Sequence, residues 1–118
     1  MVNTLIELLE SFKYPVYRQG SMQDDEAYPD TFITFWNVAS EDVMNYDNDA
    51  RGTAWYFDVN TYSNDPDTTY ELLDEIISAL KENGWLVGGK GRDLASDEPT
   101  HTGRGIDVIY LETNSNGG

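Results

Sequence analysis

The sequence has no cysteine and a single histidine among its 118 residues. The lack of cysteine excludes disulfide bonds, thiolate nucleophiles and cysteine-ligated metals. No apolar run approaches the roughly 18 residues that a membrane-spanning helix needs, and the N-terminal residues do not follow a signal-peptide pattern. We therefore expect a protein without a transmembrane segment that stays in the compartment where it is made.

Basic residues are also scarce. Seven lysines and arginines stand against 22 aspartates and glutamates, which gives a formal net charge of −15. A surface with this charge repels nucleic acid and anionic membranes, so we expect no specific nucleic-acid binding and no membrane association. The acidity also has a simpler explanation, because net charge by itself keeps a protein in solution.

The length suits one domain, which we place at residues 1–113, with a flexible C-terminal tail at 114–118. The most regular strand pattern is Thr53–Tyr62. At the period of two that strands follow, it has an apolar face and a wettable face. The apolar face takes Trp55, Phe57 and Val59, and the other face takes Tyr56, Asp58, Asn60 and Tyr62.

The strongest helical signal covers residues 66–83. Asp65 is suited to the N-cap, Pro66 to the first helical position, and Asn83-Gly84 to a left-handed C-terminal end. An apolar stripe at helical spacing predicts that one side of this helix covers the sheet. The stripe consists of Leu72, Leu73, Ile76, Ile77 and Leu80.

The remaining segments complete an α+β domain. We predict a small, mainly antiparallel sheet packed against an N-terminal helix and the longer amphipathic helix. The assignments are a first helix capped by Asn3 or Thr4 and stopped by Pro15, an extended piece at 16–18, a strand at 32–37 with apolar residues on both faces, a polar connection at 40–52, a short strand at 85–87, a glycine-rich loop at 88–105, and a last strand at 106–112.

Two stretches approach binding motifs without completing them. Gly84–Gly91 nearly forms a phosphate-binding loop, but Gly91 stands where a hydroxyl is required, and the helix precedes the glycines. Asp47–Asp58 has the length of a calcium loop, but Arg51 places a positive charge at a ligand position. We therefore expect no nucleotide, no calcium ion and no other cofactor.

His101 also invites a functional interpretation. Ser96 and Asp97 lie close to it in sequence, so a catalytic triad can be drawn. No nucleophile elbow or oxyanion-hole pattern supports it, and a lone histidine builds a zinc site only if carboxylates assist. We assign no catalytic and no metal-binding residue.

The aromatic content leaves a surface candidate. Phe35, Tyr56, Tyr62 and Tyr110 are predicted on the outer face of the sheet, and aromatic residues there often mark an interface. Alternatively, some of these rings line a second small core under the first helix.

The order of short runs resembles the small tail-completion proteins of long-tailed bacteriophages, also described as neck, head–tail joining or tail-terminator proteins. The resemblance extends to about Glu112. It is carried by Tyr14-Pro15-Val16-Tyr17, by Tyr28–Asn37, by the acidic Asp47-Asn48-Asp49, by the strand Trp55–Tyr62 and by the helix and closing strand that follow.

The resemblance implies a structural, non-enzymatic virion protein that forms a ring, commonly sixfold, between the capsid connector and the tail tube. The connector and tail-tube proteins would be its partners, and residues 40–52 and 88–105 would be its contact loops. An acidic lumen would let DNA pass without sticking. Ring neighbours could pair Lys90, Arg92 and Arg104 with Asp24, Asp25 and Glu26.

Two other classes of function stay open. The net charge would suit an acidic DNA-mimic inhibitor of a DNA-binding protein, although such mimics need long ordered rows of acids. A small enzyme or ligand-binding α+β domain is the third possibility, and an activity that depends on His101 would support it.

Overall fold

A computed structural model describes residues 2–18, 29–44, 51–94 and 100–114. These residues form two helices and six strands, which confirms the predicted α+β class. In chain order they are α1 (Val2–Glu10), β1 (Val16–Arg18), β2 (Thr31–Met44), β3 (Arg51–Ser63), α2 (Pro66–Glu82), β4 (Leu86–Val87), β5 (Arg92–Leu94) and β6 (Thr102–Asn114).

The strands form one sheet in the order β1-β2-β3-β6-β4, with β5 also paired to β6. The β1–β2 pair is parallel and all other pairs are antiparallel. β2, the predicted strand with two apolar faces, is therefore an interior strand. Three strands of 13 or 14 residues make up most of the sheet, and such strands are roughly 44 Å long. This length explains the elongated shape, 53 × 27 × 23 Å.

The helix α2 forms as the sequence predicts. The Asp65 side chain accepts a hydrogen bond from the Asp67 backbone N–H at 3.0 Å, and Pro66 begins the first turn. Gly84 follows the helix with a φ of +87°, a conformation that glycine adopts without strain. The predicted apolar stripe is buried, and all five of its members belong to the core.

One face of the sheet packs against both helices. Phe57 of this face is 1% exposed. The Trp85 ring meets the Phe57 ring edge-on, with the ring centroids 5.9 Å apart. Leu5 and Leu9 of α1 are fully buried in the same core. Burial of each such side chain stabilises the fold by about 2–3 kcal/mol relative to exposure. We call this the helix face and the opposite one the open face.

The first helix begins earlier than predicted. Since α1 already includes Val2, Asn3 and Thr4 lie inside its first turn and neither is the N-cap. The helix is followed by a turn in which Lys13 has a φ of +67°. The predicted extended piece at 16–18 is confirmed as β1.

Both long loops of the prediction are shorter than expected. β2 continues to Met44 and β3 starts at Arg51, so most of the predicted 40–52 connection is strand. The side chains of Ser40 and Glu41 are exposed, and a polar run of this kind resembles a loop when only the sequence is considered.

The predicted loop at 88–105 contains β5 and the first part of β6. Gly103 and Gly105 looked like loop residues, but both are buried in a strand. The predicted tail is also corrected at its start, because Asn114 is the last residue of β6, and residues 115–118 lie outside the described ranges.

Candidate functional site

The open face of the sheet is the candidate functional surface. Its residues are fixed by the strand register, because directly paired residues of antiparallel strands point to the same side. Three cross-strand rows run from β2 through β3 to β6. They are Phe32–Tyr62–Gly103, Thr34–Asn60–Gly105 and Trp36–Asp58–Asp107.

An aromatic cluster occupies one end of this face. The Phe32 and Tyr62 rings stack with centroids 5.1 Å apart and planes 17° apart. Tyr17 of β1 meets Phe32 edge-on at 6.0 Å, and the His101 ring lies at 6.0 Å from Phe32. A Cβ at Gly103 would lie 2.6 Å from the Tyr62 ring, so glycine lets this ring lie flat on the sheet.

His101 is held by its neighbours at this end. Its Nε2 lies 2.8 Å from the Pro29 carbonyl oxygen, which can only accept, so Nε2 carries the proton. Nδ1 lies 3.0 Å from the Thr100 hydroxyl. Residues 95–99, which include the other two members of the drawn triad, lie outside the described ranges. The geometry therefore gives His101 a role in fixing the start of β6 next to Phe32.

The middle of the open face is polar. Asn60 is buried and donates to the Thr34 hydroxyl at 3.3 Å. The amide of Asn60 also occupies the space where a Cβ at Gly105 would stand. The row therefore combines a buried amide with a neighbouring glycine that makes room for it.

Two carboxyl groups meet beside this row. Asp58 of β3 pairs with Asp107 of β6, and their side chains hydrogen-bond. Burial, followed by the bond to Asp107 and its charge, raises the pKa of Asp58 to about 6. The bond from Asp58, aided by Arg92, lowers the pKa of Asp107. Arg92 of β5 completes the group at 3.3 Å from Asp107.

The far end of the open face carries exposed apolar side chains. Trp36 is 46% exposed, Leu111 is 52% exposed and Leu86 is 53% exposed. The Tyr56 hydroxyl donates to Glu41 at 3.3 Å, and the charge of Glu41 raises the pKa of Tyr56. A register shift between Asn37 and Ala39 interrupts β2 here, as a β-bulge does.

The structure changes the predicted membership of this face. Tyr56 and Tyr62 lie on the open face, as expected. Phe35 does not: it is 4% exposed and pairs with Val59 on the helix face, so the prediction of an outer-face position is wrong. Tyr110 pairs with Trp55 on the helix face and contacts Trp85 at 5.0 Å, which also contradicts the prediction.

The predicted basic contact residues are distributed over both faces. Arg92 lies on the open face next to Asp107, Lys90 is exposed, and Arg104 points to the helix face. The predicted acidic partners Asp24, Asp25 and Glu26 lie outside the described residues.

Arg104 belongs to a cluster that sequence patterns did not reveal. Its guanidinium pairs with Asp93 at 2.8 Å, lies 4.5 Å from the Tyr70 ring centroid, and donates to the carbonyl oxygens of Lys90 and Gly91. The Tyr70 hydroxyl donates to Asp93 at 2.6 Å. The hydrogen bond from Tyr70 lowers the pKa of Asp93 most, and the hydrogen bond from Arg104 lowers it further. The cluster ties β5 to α2, across segments that a local pattern cannot connect.

The near-motifs take ordinary structural positions. In the stretch that approaches a phosphate-binding loop, Gly84 ends α2 and Trp85 enters the core. Arg51 and Asp58 of the calcium-like stretch lie in β3. Within the four described ranges, no three acidic or histidine side chains converge as a metal site.

Comparisons with known proteins do not assign the chain to a family. A scan of protein-family models and a search of curated proteins both gave no match for this chain. Neither α1 nor α2, the helices of the described ranges, has the length and apolar character that a membrane span requires.

Proposed function

We propose that this protein is a structural virion protein of a long-tailed bacteriophage, a subunit of a ring at the junction between the capsid connector and the tail. The observation that carries the proposal is the sheet end formed by residues 38–44, 51–54 and 111–114. Among the residues there whose side chains the structure describes, none joins the apolar cluster beneath the helices, and Val38 and Leu111 are more than half exposed. An extended sheet with exposed apolar side chains suits packing against other subunits.

The resemblance of the sequence to tail-completion proteins supports the same role. The proposed partners are connector and tail-tube proteins and further copies of the chain in a ring, which is commonly sixfold in the proteins that the sequence resembles. The proposed location is the virion, and the role is structural rather than enzymatic. A lumen lined by carboxylates would repel DNA phosphates, and the net charge of −15 is consistent with that.

Electron microscopy of particles made without this protein tests the proposal. We expect DNA-filled heads and separate tail tubes that fail to join, and restoration of joining when the protein is supplied. Normal, joined particles from a phage that lacks this protein would refute the proposed role.

A second candidate is an acidic inhibitor that mimics DNA. It is favoured by the outward side of α2, on which the exposed acidic residues are Asp67, Glu71, Asp74, Glu75 and Glu82. A pull-down that retrieves a nuclease or repressor, without any connector or tail protein, would favour this candidate over the ring.

A further inference from the structure

A shallow groove lies between the end of α1 and the outer side of α2. Phe12 forms one wall, and α2 supplies the other residues. These fall on one side of the helix over about 12 Å of its length, because eight residues separate the first from the last. They are Asp74, Glu75, Ser78, Ala79 and Glu82.

The groove combines an apolar surface with carboxylates. Phe12 is partly buried against the core, so its ring is held in place, and Ala79 adds a methyl group beside it. Asp74, Glu75 and Glu82 are exposed around this apolar surface. A side chain that fills the groove therefore needs an apolar stem and a cationic head.

These carboxylates have no basic partner in the part of the chain that the structure describes. The two ion pairs there are Arg92–Asp107 and Arg104–Asp93, and neither involves α2. Their charge is thus available to an incoming cation, and the net charge of the chain adds long-range attraction.

We propose that this groove binds an arginine-bearing segment of a partner protein, a role independent of the proposed ring. Arginine fits better than lysine for two reasons. Its planar guanidinium stacks on an aromatic ring such as Phe12, and it donates paired hydrogen bonds to carboxylates. Its methylene stem packs on the apolar surface while the head stays among the acids.

The test is a titration of the ¹⁵N-labelled protein with acetyl-arginine amide, followed by NMR. Acetyl-citrulline amide, which is nearly isosteric but uncharged, is the control ligand. We expect saturable shifts centred on Phe12, Ser78 and Ala79, with a Kd on the order of 1 mM for a ligand of this size. The citrulline ligand should give no saturable shifts.

Matched variants separate the groove from general acidity. Glu75→Gln with Glu82→Gln should weaken arginine binding about fivefold, since two groove carboxylates are lost. Asp67→Asn with Glu71→Gln removes the same charge from α2 outside the groove and should change Kd less than about twofold. Equal weakening by both pairs, equal binding of citrulline, or shifts spread over the whole surface would overturn the proposal.

Discussion

Asp58 and Asp107 face each other across β3 and β6 on the open face, and below about pH 6 the protonated Asp58 carboxyl group can hydrogen-bond to the Asp107 carboxylate. Burial and this neighbour raise the pKa of Asp58 to about 6, while Arg92 stabilises the charge on Asp107. Two carboxyl groups so close together make the folded state sensitive to pH.

We predict that this pair destabilises the protein as the pH rises from about 4 to about 6. Folded Asp58 keeps its proton up to about pH 6, whereas the unfolded chain loses it near the ordinary value of 3.8. The folded state therefore binds more protons in this window, and stability falls as they leave. The lowered pKa of Asp107 acts below this window, where it favours the folded state as pH rises.

Asp58→Asn should remove this pH dependence. At pH 7.5 the variant should be more stable than the parent by about 1 kcal/mol, a figure reduced for the solvent exposure of the pair. At pH 4 the two should be equal. Urea unfolding at both pH values measures the free energy of unfolding of each protein. Glu71→Gln on α2 is the control, because it also removes one negative charge but not from the pair. An equal gain from the control, or no gain at pH 7.5, would show that the pair is not the cause.

Gly103→Ala should disrupt the aromatic cluster. The new Cβ would lie 2.6 Å from the Tyr62 ring, so the ring must move away from its stack with Phe32. We expect a loss of about 1–3 kcal/mol, typical of overpacking. Gly88→Ala is the matched control, because its Cβ would meet its nearest neighbour at an ordinary 3.7 Å. Thermal unfolding that affects both variants equally would contradict this account.

Arg104→Lys should destabilise the protein more than Arg92→Lys. Arg104 has a side chain that is 18% exposed and uses several donors at once, on Asp93, Lys90 and Gly91. The single ammonium group of lysine cannot make these hydrogen bonds at the same time, so we expect Tm to fall by several degrees. Arg92 makes one ion pair and its side chain is 52% exposed, so its replacement should have little effect. Similar Tm values for the two variants would refute the special role of Arg104.

Ring assembly should depend on salt or on a partner. Subunits with a net charge of −15 repel one another at low ionic strength, so we expect the free protein to be largely monomeric there. Light scattering over a salt series measures this. A tight hexamer at micromolar concentration, insensitive to salt, would contradict it.

The exposed apolar side chains of the open face should matter for that assembly. Trp36→Ser with Leu111→Ser should weaken association under conditions where the parent assembles, with little effect on monomer unfolding, because about half of each side chain is exposed. Tyr14→Ser removes an exposed ring that precedes β1 and should leave association unchanged. Sedimentation velocity distinguishes the variants, and equal association of all three proteins would remove the open face from the proposed contact.

Part of the candidate site was predictable. The alternation in β3 correctly placed Tyr56, Asp58, Asn60 and Tyr62 opposite Trp55, Phe57 and Val59. Phe35 was misplaced because apolar residues at positions 32, 33, 35 and 36 occupy both faces of β2, and periodicity then cannot say which face meets the helices. The register with Val59 decides that.

The Asp58–Asp107 pair and the Arg104 cluster were beyond prediction for a related reason. Each joins residues of different elements, and their proximity depends on strand pairing and on how α2 crosses the sheet. Their charged residues are common types in this chain, so composition gives no hint of which ones meet.

The sequence by itself determined α2 with both of its ends, the two faces of β3 and the mixed helix–strand class, because caps and periodic burial are properties of neighbouring residues. Only the tertiary structure decided which face of β2 and β6 is open, where the long strands end, and which charges lie together. Those outcomes depend on pairing between distant segments, and its free energy comes from contacts that no single segment contains.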